Sequence, residues 1–349
     1  MTPRERWLAL LAGEKPDRIP TDIWATDEVF ERLRRDLKCA DNGDLYRRLH
    51  IDGVHTIGAP RTVHHHPDDP EASIWGVRHT VVNYGGGTYH ENASQPLAAA
   101  KTVDDVHAFQ WPRPDDHDFE NFREQVRKIP GDRAVRCGGY EPFLLYSAMR
   151  GMEQAMMDLV LAPEMVEAAL GRLFDYHYRL NARMFEIGKG RIDITYVAED
   201  LGSQTGLLMS LAHIRRFLLP NQKRMADLAR SFGIRVFYHT DGAARAVIPD
   251  LIDVTGIDVL NPIQWRCPGM EREALVRDFG ARIAFHGAVD NQQTLSFGTP
   301  ADVRAEVLDN IRIFSKARWI CAPCHNIQTV SPTENIVAMY ETIHENGRL

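Results

Sequence analysis

Cys321, Cys324 and His325 fall on what reads as a loop, directly after a short buried strand over Arg318–Cys321. Thiolates and imidazoles are metal ligands, and three of them together at a strand end are chemically expensive to leave idle. A second group lies far upstream, His239-Thr240-Asp241-Gly242, also at a strand end. On an extended chain, residues at i and i+2 share a face, so His239 and Asp241 can both reach inward. The Cys324 sulfur from a neighbouring strand would close the set. Three protein ligands with an open fourth position is how catalytic zinc is held. Zinc there would lower the pKa of a bound hydroxyl or thiol and generate a nucleophile near neutral pH. Blander readings stay open. Cys321 and Cys324 also suit small core positions. Asp241 before Gly242 also suits the cap of a following helix. The zinc reading requires an imidazole from mid-chain and a sulfur from near its end to converge on one cavity.

Other groups able to move protons or bind substrate gather at strand ends. Glu199-Asp200 is a carboxylate pair on a buried strand end, suited to general-base work or substrate hydrogen bonding. Asp52 is embedded in the short apolar run 51–54. Tyr140 and Glu141 follow a third strand, and Gln204 a fourth. Asn261 and Gln264 follow the sixth, and His286 the seventh, where it contacts substrate or stands behind the metal ligands. The triplet His64-His65-His66 reads as a solvated loop, because adjacent positions on an extended chain point to opposite sides.

These residues need a scaffold that brings strand ends together. Apolar runs at 18–24, 51–54, 134–138, 192–198, 234–238, 257–260, 282–285 and 319–321 read as strands. Helical patterns cover 2–13, 27–38, 43–49, 150–161, 163–187, 210–231, 244–254, 270–279, 300–314 and 332–345. The last opens on Ser331-Pro332, with Glu334 three residues after the serine, a helix start. Strands separated by helices imply right-handed parallel crossovers. The expected fold is therefore α/β, a closed (β/α)8 TIM barrel spanning 1–349 as one domain. Residues 59–130, rich in Pro, Asp and His, form an insertion after the second strand. The insertion carries a β-hairpin turning at Asn83-Tyr84-Gly85-Gly86-Gly87. In such barrels the site lies beyond the carboxyl ends of the strands. A doubly wound open sheet is the alternative, but no Gly-x-Gly-x-x-Gly follows the first strand.

The bulk numbers exclude several classes. With 41 basic against 48 acidic residues and no basic block, nucleic acid and anionic membranes are not expected partners. The five cysteines make an odd count in a long chain, which points to a reducing, cytoplasmic setting. No apolar run approaches the length of a membrane span, and Met1-Thr2-Pro3-Arg4 does not open like a signal peptide.

The motifs resemble the uroporphyrinogen decarboxylase superfamily over nearly the whole chain, and within it the methyltransferase-like, largely uncharacterised branch. The resemblance is carried by the opening Thr-Pro-Arg-Glu-Arg…Pro-Asp-Arg-Ile-Pro, by Ile51-Asp52, and by Glu199-Asp200-Leu201-Gly202-Ser203-Gln204. It continues through His239-Thr240-Asp241-Gly242, Asn261-Pro262-Ile263-Gln264, Gly287-Ala288-Val289-Asp290 and Ala322-Pro323-Cys324-His325-Asn326-Ile327-Gln328. It implies the same barrel. It also implies one of two chemistries. In the decarboxylase, Asp52 would hold the pyrrole nitrogens of a tetrapyrrole, and His325 would match a late active-site histidine. The family's Arg-Gln-Ala-Gly-Arg segment is absent, with Thr21-Asp22-Ile23-Trp24 in its place, and Ser147 stands near the active-site tyrosine position. In the methyltransferases, zinc is held by His-x-Cys and a later Cys. His239 and Cys324 match, while Asp241 replaces the middle cysteine with a harder oxygen ligand.

The leading expectation is a zinc-dependent methyltransferase acting between a small substrate and a corrinoid (cobalamin). Its metal ligands are His239, Asp241 and Cys324, with Cys321 or His325 open as completing ligands. Asp52, Glu199, Asp200 and His325 are the catalytic candidates. Tyr140, Gln204, Asn261, Gln264 and His286 are the substrate-binding ones. No Asp-x-His-x-x-Gly motif is present, so the corrinoid would come free or on a partner protein. A tetrapyrrole decarboxylase and a non-catalytic corrinoid-binding barrel are the alternatives, and a homodimer is open.

Overall fold

The protein is described by a computed structural model covering residues 1–83 and 88–349. The turn expected at 83–87 thus falls largely outside the described residues. Among the described residues there are nine strands: β1 (Val54–Ile57), β2 (His79–Asn83), β3 (Thr88–Asn92), β4 (Ala134–Cys137), β5 (Ile194–Ala198), β6 (Arg235–His239), β7 (Val259–Asn261), β8 (Ala284–Val289) and β9 (Arg318–Pro323). Strands β2 and β3 pair antiparallel with each other, between β1 and β4. The other seven form one parallel sheet in the order β1-β4-β5-β6-β7-β8-β9, which is chain order. Each step crosses over through helix, so the sheet curls in one direction with helices on its outer face.

The segment before β1 ties the two ends of this sheet together. Thr21 makes a parallel bridge to Cys321 in β9, and Ala25 one to Ile327 just beyond it. The Thr21 carbonyl accepts from Gly53 N at 2.9 Å, just ahead of β1. A strand was expected here. Only bridges form, because Pro20 has no N–H and the Thr21 N–H goes to the Asp52 carboxylate at 2.9 Å.

The interior has a floor and a mouth. The helix Pro3–Ala12 starts on a capping box between Thr2 and Glu5. It buries Trp7, Leu10 and Leu11 against Ala134, Ile194, Phe237, Val259, Ala284 and Ile320, with Val54 beside them. These are inward residues from all seven parallel strands, mostly at their starts, so the helix plugs the amino end. Two residues further along, the same inward face carries Arg136, Tyr196, His239, Asn261 and His286. The strand period converts an apolar layer into a polar one.

Three local expectations change. Gly151, at φ +90°, separates the helices Pro142–Arg150 and Met152–Leu161, where one helix over 150–161 was expected. Ser331 does not cap the last helix. Pro332 occupies the cap position of Thr333–Asn346, and the Ser331 hydroxyl bonds to Ser296 at 3.0 Å. Of the histidine triplet, His64 and His65 are exposed, but His66 is buried against Phe109. All five cysteines are free. Among the described residues, no helix is long and apolar enough to cross a membrane.

Candidate metal centre

The loops after β5 and β6 are pressed together by two glycines. A Cβ on Gly202 would sit 2.4 Å from the Asp241 carbonyl oxygen, and one on Gly242 would sit 2.3 Å from the Ser203 carbonyl oxygen. Leu201 N donates to Thr240 Oγ1 at 3.0 Å, and Ala243 N to the Ser203 carbonyl at 2.8 Å. This contact brings Asp200 and Asp241 together beside His239.

Ligand atoms of Asp200, His239 and Asp241 all lie within 4.8 Å of one another. His239 Nε2 is 3.7 Å from Asp200 Oδ1 and 3.9 Å from Asp241 Oδ1. His325 Nε2 stands 3.5 Å from Asp241 Oδ2 at the exposed rim. Asp200 Oδ1 is buried and has no hydrogen-bond partner. A desolvated carboxylate oxygen left unpaired is costly. Imidazole nitrogen with carboxylate oxygens is a donor set that zinc accepts. The residues therefore fit a divalent cation, with Asp200 Oδ1 as the group that most needs one.

The tautomer of His239 follows from a buried chain behind it. His286 Nε2 lies 3.1 Å from Asp22 Oδ2, and an ionised carboxylate only accepts, so this nitrogen carries the proton. His286 Nδ1 then accepts from Asn261 Nδ2 at 2.7 Å. Asn261 Oδ1 in turn accepts from His239 Nδ1 at 2.6 Å. In the neutral ring this leaves the Nε2 lone pair facing Asp200 and Asp241, the form a ligand needs. Burial lowers the His286 pKa, which keeps that ring neutral as the chain requires. Gln264 orients the other side. Its Nε2 donates to Asp241 Oδ1 at 3.1 Å, and its Oε1 accepts from Gly242 N at 2.6 Å.

Further carboxylates surround the group. Glu141 stands at the N-cap position of the helix Pro142–Arg150 without a capping bond from its side chain, and its pKa is raised by burial and then by Asp200. Burial likewise raises the Asp241 pKa, against the attraction of His239 and His325. Burial pushes Glu199 up to about 8, opposed by two amides, Phe143 N at 2.7 Å and Leu144 N at 2.9 Å. Those amides belong to the first turn of the same helix, so Glu199 anchors the helix that presents Glu141.

The remaining expected residues are placed as follows. Asp52 precedes β1 and is fully buried at the amino end, away from the mouth. Its carboxylate accepts from Arg6, from Arg18 Nη1 and Nη2 at 2.9 Å each, and from Thr21 N. Cys324 is fully buried and outside the ligand group, and its Sγ donates to the Ile263 carbonyl at 3.0 Å. Burial holds that thiol well above its usual pKa. Cys321 is buried in the core. Tyr140 is buried with its hydroxyl unpartnered, its ring beside His177. Asn261 and His286 face each other rather than open space. Gln204, Gln264 and His325 line a cavity of about 530 Å³ with Asp241. A second cavity, of about 470 Å³, is lined by Asp22, Trp24, Tyr46, Arg136 and Tyr196, and Asn326 borders both.

Sequence reasoning assigned no role to Trp24 and Tyr196, whose rings lie 5.6 and 5.7 Å from His239. The available signal was the strand period, since Tyr196 shares the inward face with Ile194. Glu141 was seen at its strand end but given no role. The Glu-Pro pair at a helix start would have placed it.

A sequence model of the uroporphyrinogen decarboxylase (URO-D) family matches residues 89–346. No curated protein matches by sequence. Among solved structures, a methyltransferase from Methanosarcina mazei shares 19% identity at a TM-score of 0.69, covering 99% of each chain. A B12-independent methionine synthase from Shewanella sp. W3-18-1, solved with selenomethionine, shares 9% identity at a TM-score of 0.42. That match covers 77% of this chain and 75% of the synthase.

Proposed function

Because this chain belongs to the uroporphyrinogen decarboxylase family, we propose that it is a zinc-dependent methyltransferase moving a methyl group between a small substrate and a corrinoid. The fold likeness to the Methanosarcina mazei methyltransferase, over 99% of both chains, supports this reading. So does the reading of the sheet as a (β/α)8 barrel, with the segment around Thr21–Ala25 in the eighth strand position. The observation that carries the proposal is the group of Asp200, His239 and Asp241, with an unpartnered buried oxygen on Asp200.

His239, Asp200 and Asp241 would hold the ion, with His325 or Cys324 able to complete the set. A Cys324 ligand would first give up its bond to the Ile263 carbonyl. Bound zinc supplies Lewis acidity toward a substrate heteroatom. Asn261 and His286 fix the His239 tautomer, and Gln264 fixes Asp241. Burial and then Asp200 raise the Glu141 pKa, which suits it to supply the proton that the demethylated heteroatom would take up. The family's decarboxylase chemistry draws no support at Asp52, whose oxygens are engaged by Arg6, Arg18 and Thr21.

The proposal is tested by metal analysis of purified protein beside His239→Ala, with methyl transfer to reduced cobalamin followed by absorbance. Metal content and transfer that fall together support it. Metal-free active protein, or coproporphyrinogen formed from uroporphyrinogen, would replace it.

A further inference from the structure

Arg136 is out of place on any structural reading. It lies on β4, two residues beyond Ala134, whose side chain belongs to the apolar floor. The strand period therefore turns Arg136 into the barrel interior. It is partly buried there and lines the cavity of about 470 Å³. Its guanidinium carbon stands 5.7 Å from the Trp24 ring and 5.5 Å from the Tyr196 ring. Among the described residues no hydrogen bond or ion pair engages it. The nearby acids are committed elsewhere. Asp22 accepts from Trp24 Nε1 and faces His286, while Glu141 meets Tyr196. A guanidinium carries five donors in a planar fork that matches an oxyanion.

The same two rings that flank Arg136 also flank His239. The cavity thus has a cation at one side and an aromatic wall beside it, and the same two rings stand 5.6 and 5.7 Å from His239. We propose that Arg136 binds the oxyanion of a small organic substrate whose apolar body lies along Trp24 and Tyr196. That pose points the far end of the substrate at His239. The placement of the reacting atom rests on the metal-site reading given above, but anion binding does not.

Titration calorimetry with benzoate, benzenesulfonate, phenylphosphonate and neutral benzamide, on wild type and Arg136→Met, tests this. The wild type should bind at least one anion, and the tightest of the three identifies the oxyanion class. Arg136→Met should weaken that anion about 10- to 100-fold and leave benzamide unchanged. The same variant should unfold at an equal or higher temperature, since it removes a charge that makes no hydrogen bond or ion pair and keeps an apolar side chain between the two rings. A structural arginine would instead lower it. Should Arg136→Met fail to fold, Arg136→Lys replaces it, and loss of selectivity among the three anions is then the expected result. Repeating the titration on His239→Ala separates the two proposals, because anion binding should survive there even if metal binding does not. No anion bound by wild type at 10 mM (about its weakest useful limit), or equal affinity in Arg136→Met, would overturn the assignment.

Discussion

Two acidic sites sit at opposite ends of the same curled sheet and differ in one respect. At the floor, the Asp52 carboxylate is met by Arg6, Arg18 and Thr21, and those arginines reach Asp17 and the His50 carbonyl as well. At the mouth, Asp200 and Asp241 face His239 and one another, His325 stands 3.5 Å from Asp241 Oδ2, and Asp200 Oδ1 is unpartnered. The floor is a closed network that positions the segment completing the sheet. The mouth is an open one, where among the described residues no arginine or lysine pairs with Asp200 or Asp241. A buried charge whose partners are all protein groups holds structure, and one without partners points to a ligand.

The largest effect that would break this contrast is at the floor. Asp52→Ala leaves Arg6 and Arg18 with an unpaired charge and should cost about 3–5 kcal/mol in urea unfolding. A loss below about 1 kcal/mol would remove the structural role of Asp52. Next is Asn261→Leu, which cuts the chain that fixes the His239 tautomer. Zinc affinity should fall about 10- to 100-fold in a chelator competition, with the fold retained by circular dichroism. Unchanged affinity would show that the chain is packing alone. Asp200→Asn should abolish tight zinc binding, yet change metal-free stability by no more than about 1 kcal/mol, in the stabilising direction. A strongly destabilised variant would place Asp200 with the floor residues.

The smallest effect is in pH. Glu141, Asp241 and Glu199 have folded pKa values raised above their unfolded ones. Their contribution to stability is present below the unfolded values and lost as pH rises through the folded ones. Metal-free protein should therefore lose stability between pH 4.5 and about 8, the span of the Glu199 shift. Zinc-loaded protein should show the opposite slope, because carboxylate ligands must lose their protons before they bind. Parallel slopes with and without zinc would contradict a carboxylate site.

The same contrast shows what the sequence could reveal. From residue 134 onward the strands are apolar runs set between long amphipathic helices, so the order of elements and the residues at each strand end are legible. The amino-terminal part is harder. β1 reads Val-His-Thr-Ile, with little apolar signal, and the expected strand over 51–54 lies too early. Gly53, at φ +59°, breaks the extended chain there. That shift of a few residues moves Asp52 from a strand end to the floor. His239 and Asp241 stand together as their spacing implied. Asp200 was legible as an acid but not as part of the same group, because the Gly202–Gly242 contact between two loops sets its direction. Cys324 is at the expected strand end, but where its thiol points depends on the Ile263 carbonyl, which no spacing reveals.

The central claim is that the mouth is completed by a metal ion. The direct measurement is zinc titration of chelator-stripped wild type and His239→Ala, with bound metal counted per chain. The account predicts one tightly held ion in the wild type and none in the variant. No ion in the wild type, or the same ion in both, would contradict it.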